Sequence, residues 1–339
     1  MWGNTGFFPL FYCTMWRLRG DGNHCTLCHW PPLIAGSMAP TDYQTLIDAP
    51  TWAFIRRTED CYRAQSASPT IAEQRATYDA MARSFHRGYP PGVSARDEGV
   101  AGVPCRIYPG AAPTVIYLHG GGFLLGGLDS HDDVCAEICG ATGFRVISAA
   151  YRLAPEHLHP AAFEDAVAVS RHVAALGPYL LVGDSAGGSL AASVAHHLRA
   201  ESPPLGVVLI YPGLGGPPDT ESYRAHAEAP MLTRDDVVYY NTLRHKDGIP
   251  PVDDPTAAAL HDTNFAGLPP TVVFSAECDP LADDGQAYCA RITAAGGQAI
   301  WHEERGLVHG YLRARASVPR AAACFDRIIR AIADLGAAR

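Results

Sequence analysis

Short apolar runs alternate with helical patterns along most of this 339-residue chain. Near-continuous apolar strands separated by helices are typical of a parallel sheet that is covered on both faces. The alternation therefore predicts an α/β fold with a mostly parallel central sheet, followed by a terminal helix at 317–335. The predicted strands are residues 115–118, 146–148, 179–182, 207–210, 272–274 and 299–301.

Two segments depart from this alternation. Residues 42–62 and 69–87 have apolar positions at helical spacing, and residues 213–255 form a Pro- and Gly-rich insertion with a helical centre at 233–243. An insertion after a parallel strand lies on the side of the sheet where ligands bind. We therefore expect a helical cap and this division of the chain: extension 1–37, cap helices 38–90, catalytic domain 91–212, second cap segment 213–255, and catalytic domain continued 256–339.

The first 37 residues differ from the rest of the chain. They are rich in Trp, Cys, Gly and Pro and have no sustained period, so we expect a poorly ordered or non-native extension. His24, Cys25, Cys28 and His29 lie within it, and two thiolates at this spacing can share a zinc ion. No second Cys/His pair follows at zinc-finger spacing, so we predict no metal site.

Composition narrows the function classes. The formal net charge is -9, which disfavours a nucleic-acid partner because phosphate binding needs clustered Lys and Arg. No apolar run reaches the roughly 18 residues of a membrane span. Arg residues follow the apolar stretch 7–13 instead of preceding it, unlike in a secretory signal. The 10 cysteines are too sparse for a disulfide scaffold, so a reducing, cytoplasmic location is expected.

The strongest local signal is the sequence GDSAG at residues 183–187. It follows the predicted strand 179–182 and precedes a helical stretch at 189–199, which is the strand–turn–helix context of a nucleophile elbow. So tight a turn strains the nucleophile, and glycines beside it remove steric clashes. A helix N-terminus also favours developing negative charge. Ser185 is therefore the candidate nucleophile.

A second glycine-rich turn, HGGG at residues 119–122, follows the predicted strand 115–118. Acyl transfer develops negative charge on a carbonyl oxygen, and backbone N–H groups must stand where that charge appears. The turn lacks both the glycine spacing of dinucleotide-binding folds and the lysine of a P-loop. It therefore predicts an oxyanion site, in which we interpret His119 as a structural residue.

Three further stretches complete a family resemblance: YRLAPE at 151–156, DPLAD at 279–283 and HGY at 309–311. With the two glycine motifs, they resemble the hormone-sensitive-lipase-like esterases, bacterial family IV, in the branch with a GDSAG elbow. The resemblance begins near residue 39 and runs to the C-terminus, with Tyr311 where the family has Phe. It implies the α/β-hydrolase fold with a helical cap, carboxylesterase activity and no metal or cofactor.

The resemblance implies a catalytic triad of Ser185, Asp279 and His309, in the chain order of this fold. Asp279 follows the predicted strand at 271–276, and His309 follows the strand at 299–301 through a short loop. Both then lie at the carboxyl ends of strands, like the serine. Other acids and one other histidine remain alternatives: Glu277, Asp283, Asp284 and His302.

Further residues are assigned around the triad. The resemblance implies oxyanion donors at the backbone N–H groups of Gly121, Gly122 and Ala186, and a supporting role for Glu156. We interpret Asp184, inside the elbow, as a hydrogen-bonding residue instead of the acid. Six apolar side chains could line an acyl or alcohol pocket or serve in ordinary packing: Phe123, Leu124, Tyr211, Met231, Tyr239 and Tyr240.

The sequence thus predicts hydrolysis of short- to medium-chain acyl esters through an acyl-enzyme intermediate. The same triad would serve an amidase or a lactonase, and relatives that lose a triad member can be small-molecule receptors on this fold. The expected partner is a small-molecule ester, and the resemblance allows a homodimer.

Overall fold

The computed structural model describes residues 41–338, so the predicted extension at 1–37 and the cysteine pair at 25–28 lie outside the described residues. One eight-stranded sheet has the order β1-β2-β4-β3-β5-β6-β7-β8. Strand β2 pairs antiparallel with β1 and β4, and the other pairs are parallel. The strands are β1 Arg96–Val100, β2 Val103–Tyr108, β3 Ala111–Leu118, β4 Phe144–Ala149, β5 Tyr179–Asp184, β6 Val207–Ile210, β7 Thr271–Cys278 and β8 Ala299–Val308.

Helices cover both faces of this sheet, which confirms the predicted α/β-hydrolase fold. Ile116 of β3 packs in the core beneath α5, α6 and α9, while its neighbour Tyr117 packs in the core beneath α4 and α10. Each fully buried side chain of this size contributes roughly 1.5–3 kcal/mol. The helices are α1 Tyr43–Leu46, α2 Ala49–Tyr62, α3 Ile71–Phe85, α4 Asp132–Thr142, α5 Ala161–Leu176, α6 Ala186–Leu198, α7 Glu221–Ala225, α8 Arg234–Arg244, α9 Ala282–Ala294 and α10 Pro319–Ala337.

The prediction of one helix over 42–62 is wrong, because the chain breaks between α1 and α2. Asp48 has extended backbone angles (φ -77°, ψ 165°), and its carboxylate accepts the Thr51 N–H at 3.0 Å. It therefore caps a new helix. Pro50 lies in the first turn of that helix, where its missing N–H costs no hydrogen bond.

Strand β8 is longer than the predicted 299–301. Its charged residues Glu303 and Arg305 are exposed, and an edge strand can hold such residues because its outer side meets water. The short loop expected before His309 is therefore absent, and the histidine follows Val308 directly. The polar, mostly exposed strand β1 escaped prediction for the same reason.

Side-chain contacts join the two predicted cap segments. Gln74 of α3 donates to the Tyr239 hydroxyl of α8 at 3.0 Å, and the Thr41 hydroxyl donates to the Ala225 carbonyl at 2.5 Å. These contacts are what a shared cap requires, and the division into domains stays a prediction. Across residues 41–338, none of the helices has both the length and the apolar character to cross a membrane.

Candidate active site

Ser185 lies on the turn between β5 and α6 with strained backbone angles (φ 52°, ψ -122°). Its N–H donates to the Ile210 carbonyl at 2.9 Å, which holds the turn against the neighbouring strand. A Cβ at Gly183 would stand 2.3 Å from the Gly187 carbonyl oxygen, and one at Gly187 would stand 1.9 Å from that of Leu118. Both glycines are therefore required for the close approach of the backbone.

The structure brings the three triad candidates into hydrogen-bond contact. His309 Nε2 lies 2.8 Å from Ser185 Oγ, and its Nδ1 lies 2.7 Å from Asp279 Oδ2. The other carboxylate oxygen of Asp279 accepts the Leu281 N–H at 2.9 Å, which fixes the orientation of this buried group. Because a carboxylate accepts the hydrogen of Nδ1, Nε2 is left to accept the hydrogen of the Ser185 hydroxyl.

The alternatives to these assignments are engaged elsewhere. His302 lies within β8 and stacks on Phe274, with 4.9 Å between ring centroids. Each of the three carboxylates accepts backbone N–H groups outside the triad: Glu277 from Gly306, Asp283 from Ser222, and Asp284 from Leu214, Gly215 and Gly216.

Three backbone N–H groups lie free beside the serine. Within residues 41–338, no protein acceptor takes the N–H of Gly121, Gly122 or Ala186, and all three residues line one cavity. Gly121 and Gly122 have φ angles of 127° and 62°, which other residues rarely adopt. A Cβ would stand 2.2 Å from the Leu125 carbonyl oxygen at 121, and 2.3 Å from the Tyr240 ring at 122. The turn thus offers backbone N–H donors at two residues that carry no side chain.

Comparison with known proteins identifies the family of the chain. Residues 115–313 match the alpha/beta hydrolase fold family. The chain belongs to this family. Carboxylesterase NlhH of Mycobacterium tuberculosis is 38% identical over 254 residues, which cover 69% of this chain and 79% of that relative.

Two further matches narrow the group. Acetyl esterase of Salmonella agona is 31% identical over 264 residues, which cover 71% of this chain and 80% of the relative. The crystal structure of an esterase from the bacterial hormone-sensitive lipase family is similar with a TM-score of 0.77 and 29% identity, over 85% of this chain and 98% of that chain. The predicted resemblance to the hormone-sensitive-lipase-like esterases is confirmed.

Asp184 of this hydrolase joins the elbow to the oxyanion turn. Its Oδ1 accepts the Tyr117 hydroxyl at 2.7 Å and the Gly120 N–H at 3.0 Å, and His131 Nε2 lies 3.3 Å from its Oδ2. Burial alone would raise its pKa, but interactions with His131, Tyr117 and Arg313 outweigh burial and hold the pKa below the usual range. Asp184 is thus an ionised hydrogen-bond acceptor in contact with the start of the turn, and its predicted supporting role remains to be tested.

His119 lies buried beneath the oxyanion turn, and its structural role stays a prediction. Its ring stacks on Tyr151 at 4.3 Å, and the Tyr151 hydroxyl donates to its carbonyl at 2.6 Å. Burial, together with the proximity of His131, lowers the pKa of His119 to about 4. It therefore stays neutral at physiological pH, beneath the turn.

Glu156 supports the turn from outside. Its half-exposed carboxylate forms an ion pair with Arg75 of α3 at 2.7 Å. The Arg75 guanidinium also donates to the carbonyls of Leu124 and Ala154 at 2.8 and 2.9 Å. Glu156 thus fixes an arginine that ties the cap to the loop after the oxyanion turn.

A cavity of about 1530 Å³ contains Ser185 and His309 in its wall. Two of the six predicted pocket residues lie outside that wall: Leu124 is fully buried in the core, and Tyr239 contacts Gln74. Their apolar character predicted that these side chains are covered, but it could not predict whether they face the cavity or pack elsewhere. The four predicted residues that line the cavity are Phe123, Tyr211, Met231 and Tyr240.

Among residues 41–338, four arginines line the cavity, and sequence reasoning missed all of them: Arg244, Arg291, Arg313 and Arg315. Arg313 lies four residues after His309, so its closeness to the motif could have indicated it. Arg244 ends α8, where a basic residue is ordinarily an exposed complement to the helix dipole. The sequence carried no signal that this arginine is buried.

Proposed function

We propose that this carboxylesterase cleaves short- to medium-chain acyl esters through the triad Ser185, His309 and Asp279. The observation that carries the proposal is the hydrogen-bonded chain from Ser185 Oγ through the imidazole to the Asp279 carboxylate, at the ends of β5, β8 and β7. Nucleophile, base and orienting acid stand at the contact distances that acyl transfer requires.

In the first half of the reaction, Ser185 Oγ attacks the ester carbonyl and His309 Nε2 takes the hydroxyl proton. Asp279 stabilises the imidazolium that forms. The carbonyl oxygen becomes an oxyanion and accepts hydrogen bonds from Gly121, Gly122 and Ala186. Loss of one such donor typically costs about 2.7–4 kcal/mol of transition-state stabilisation.

In the second half, the bond to the alcohol breaks and the alcohol leaves with the proton of His309. Water then attacks the acyl-serine while His309 takes one of its protons. Collapse of this second tetrahedral intermediate returns that proton to Ser185 and releases the carboxylic acid. Each half uses the same oxyanion donors, so one site serves both steps.

The cavity wall supports the acyl preference. Tyr211 packs against His309 with 4.8 Å between ring centroids, and the Tyr240 ring covers Gly122. Bulky rings thus bound the space beside the reacting groups, which favours a compact acyl chain. The similarity to an acetyl esterase supports the same preference.

The test compares initial rates on p-nitrophenyl esters from acetyl to palmitoyl. We expect the wild type to be fastest on a short or medium chain, and Ser185→Ala to lose several orders of magnitude in kcat, the scale of triad serines. Ser193→Ala is the control, because this serine is buried on α6, the helix that follows Ser185, and lies outside the cavity wall. Retained activity in Ser185→Ala would disprove the mechanism.

Cytoplasmic location, a homodimer and independence of cofactors remain part of the proposal. They rest on composition and on the family. Light scattering at several protein concentrations would measure the oligomeric state, and a mass constant at that of one chain would refute the dimer.

A further inference from the structure

Arg244, the last residue of α8, is a buried cation in the cavity wall, with 6% of its surface exposed. One terminal nitrogen donates to the Ala257 carbonyl at 3.0 Å, and the other lies 3.5 Å from His159 Nδ1. The guanidinium carbon stands 3.6 Å from the centre of the Phe123 ring. An arginine has five N–H donors, so these contacts leave several unused.

The positive charge of Arg244 has no counter-ion. Throughout the described range 41–338, no carboxylate lies within 4.0 Å of its guanidinium. The negative charge of Asp254 acts on Arg244 only from a greater distance. Its carboxylate instead contacts His159 Nε2 at 3.1 Å and accepts the Thr256 N–H. By contrast, Arg315 in the same cavity wall forms ion pairs at 2.5 and 2.7 Å. Buried charges are ordinarily paired, so an unpaired one at a substrate cavity points to a ligand.

The neighbouring histidines leave this charge uncompensated. Burial, with the charge of Arg244 next, lowers the pKa of His159 below its ordinary value and that of His245 to about 4. Burial lowers the pKa of Arg244 itself to about 9, so the guanidinium stays charged at neutral pH. The Arg244 guanidinium therefore carries one positive charge and has unused N–H donors.

The position of Arg244 is set by the helix. Tyr240 lies four residues earlier, so both side chains are on one face of α8. Tyr240 covers Gly122 of the oxyanion turn, and Arg244 covers the next residue, Phe123. One helical turn rises about 5.4 Å, so Arg244 lies one turn of α8 beyond the residue that covers the oxyanion turn.

We propose that Arg244 binds a carboxylate carried by the ester substrate, so that the enzyme prefers anionic esters to neutral ones of the same size. The planar guanidinium matches a carboxylate with two parallel hydrogen bonds. The inference rests on the proposed function, because it names the substrate class of the same site.

Another arginine of the cavity provides a matched control. Arg291 also stands over a phenylalanine ring, that of Phe265 at 4.0 Å. Both of its terminal nitrogens donate to backbone carbonyls, those of Leu260 and Asp262, at 2.6 Å each. It resembles Arg244 in stacking and in its place in the wall. It differs because it is only partly buried and both of its terminal nitrogens hold carbonyls closely, whereas one nitrogen of Arg244 has only the 3.5 Å contact with an imidazole.

The test measures kcat/KM for pairs of esters matched in size. Monoethyl adipate against its amide, ethyl 6-amino-6-oxohexanoate, places the charge on the acyl side, and 4-acetoxybenzoate against 4-acetoxybenzamide places it on the alcohol side. In one of these pairs we expect the wild type to favour the anion by about 10- to 100-fold, the scale of charge-assisted hydrogen bonds. Arg244→Gln should abolish that ratio, Arg244→Lys should keep part of it, and Arg291→Gln should keep it whole.

The outcomes separate the two proposals. Equal rates on both members of both pairs would overturn the inference through the wild type alone, whether or not a variant folds. A ratio that survives Arg244→Gln, or that Arg291→Gln removes, would overturn it as well. If no ester is cleaved, the proposed function fails, and calorimetry then decides the inference: adipate or 4-hydroxybenzoate should bind Ser185→Ala and not Ser185→Ala/Arg244→Gln.

Discussion

The carboxyl edge of the sheet and the cap helix above it hold their polar side chains differently. At the sheet edge, Asp279 and Asp184 each accept a backbone N–H, from Leu281 and Gly120, and each also contacts a side chain. On the cap, Arg244 contacts a backbone carbonyl, a neutral imidazole and the Phe123 ring, and several of its N–H donors remain unused. Both oxygens of each of these carboxylates thus have partners, while the guanidinium proposed for substrate selection keeps unused N–H donors.

This difference has a physical origin in how each region is anchored. Strands β5, β7 and β8 belong to one hydrogen-bonded ladder, so the residues at their ends are held by the sheet itself. Helix α8 approaches the sheet edge through side chains, such as Tyr240 against Gly122. We therefore expect the catalytic residues, which a family shares, at the ends of the paired strands, and the residues that select the substrate on helix α8.

The largest predicted effect tests the sheet edge. Asp279→Asn keeps the shape of the carboxylate but offers an amide to His309 Nδ1, which favours the wrong imidazole tautomer. We expect kcat to fall by about 10⁴-fold, as for the corresponding change in a serine protease. Asp283→Asn is the control four residues later, in the first turn of α9, because its carboxylate accepts the Ser222 N–H instead. Similar losses in both variants would contradict the special role of Asp279.

The second prediction concerns Asp284, which joins the two regions. Its Oδ2 accepts the N–H groups of residues 214–216 at the start of the second cap segment, while its Oδ1 is buried without a partner. Burial raises its pKa to about 7. The folded chain therefore keeps a proton that the unfolded chain releases near pH 4, so this residue's stabilising contribution is lost as pH rises from about 4 to about 7.

Asp284→Asn should remove that pH dependence. We expect the difference in free energy of unfolding between variant and wild type to grow by at most about 4 kcal/mol over this window, in favour of the variant. Urea unfolding at pH 5 and pH 8 measures the part of this change that occurs above pH 5, which is at most about 3 kcal/mol. The exposed Asp326→Asn is the control. A difference that is the same at both pH values would show that Asp284 does not titrate there.

A smaller effect tests the contact between the regions. Gly122→Ala places a methyl group against the Tyr240 ring at φ 62°, and should lower kcat/KM by about 100-fold, the size of one lost oxyanion donor. Gly122→Ala/Tyr240→Ala should recover part of the loss. Gly127→Ala is the control, because its added methyl group would meet open space. A double variant no faster than the single one would exclude the clash.

The elements at the sheet edge could be predicted from the sequence because the patterns that indicate them are local. The strand at residues 207–210 has the predicted bounds, and the turn around Ser185 needs its flanking glycines for reasons visible within five residues. The exposed, charged part of β8 and the polar strand β1 were missed because edge strands need no apolar run.

The cap was less predictable because its residues take their direction from tertiary contacts. Phe123 and Leu124 are adjacent and apolar, yet only Phe123 lines the cavity, since its φ of 64° turns the loop there. Tyr239 and Tyr240 lie about 100° apart around α8, so only one of them can face the oxyanion turn. Composition cannot distinguish the members of such pairs.

The triad is tested most directly by identifying the residue that an organophosphate phosphorylates. Diethyl p-nitrophenyl phosphate should release one p-nitrophenol per chain, abolish esterase activity, and leave its phosphoryl group on the peptide that contains Ser185. His309→Ala should react far more slowly, because the serine then lacks its base. Complete inactivation with the label on another residue, or full activity after prolonged exposure, would contradict the account.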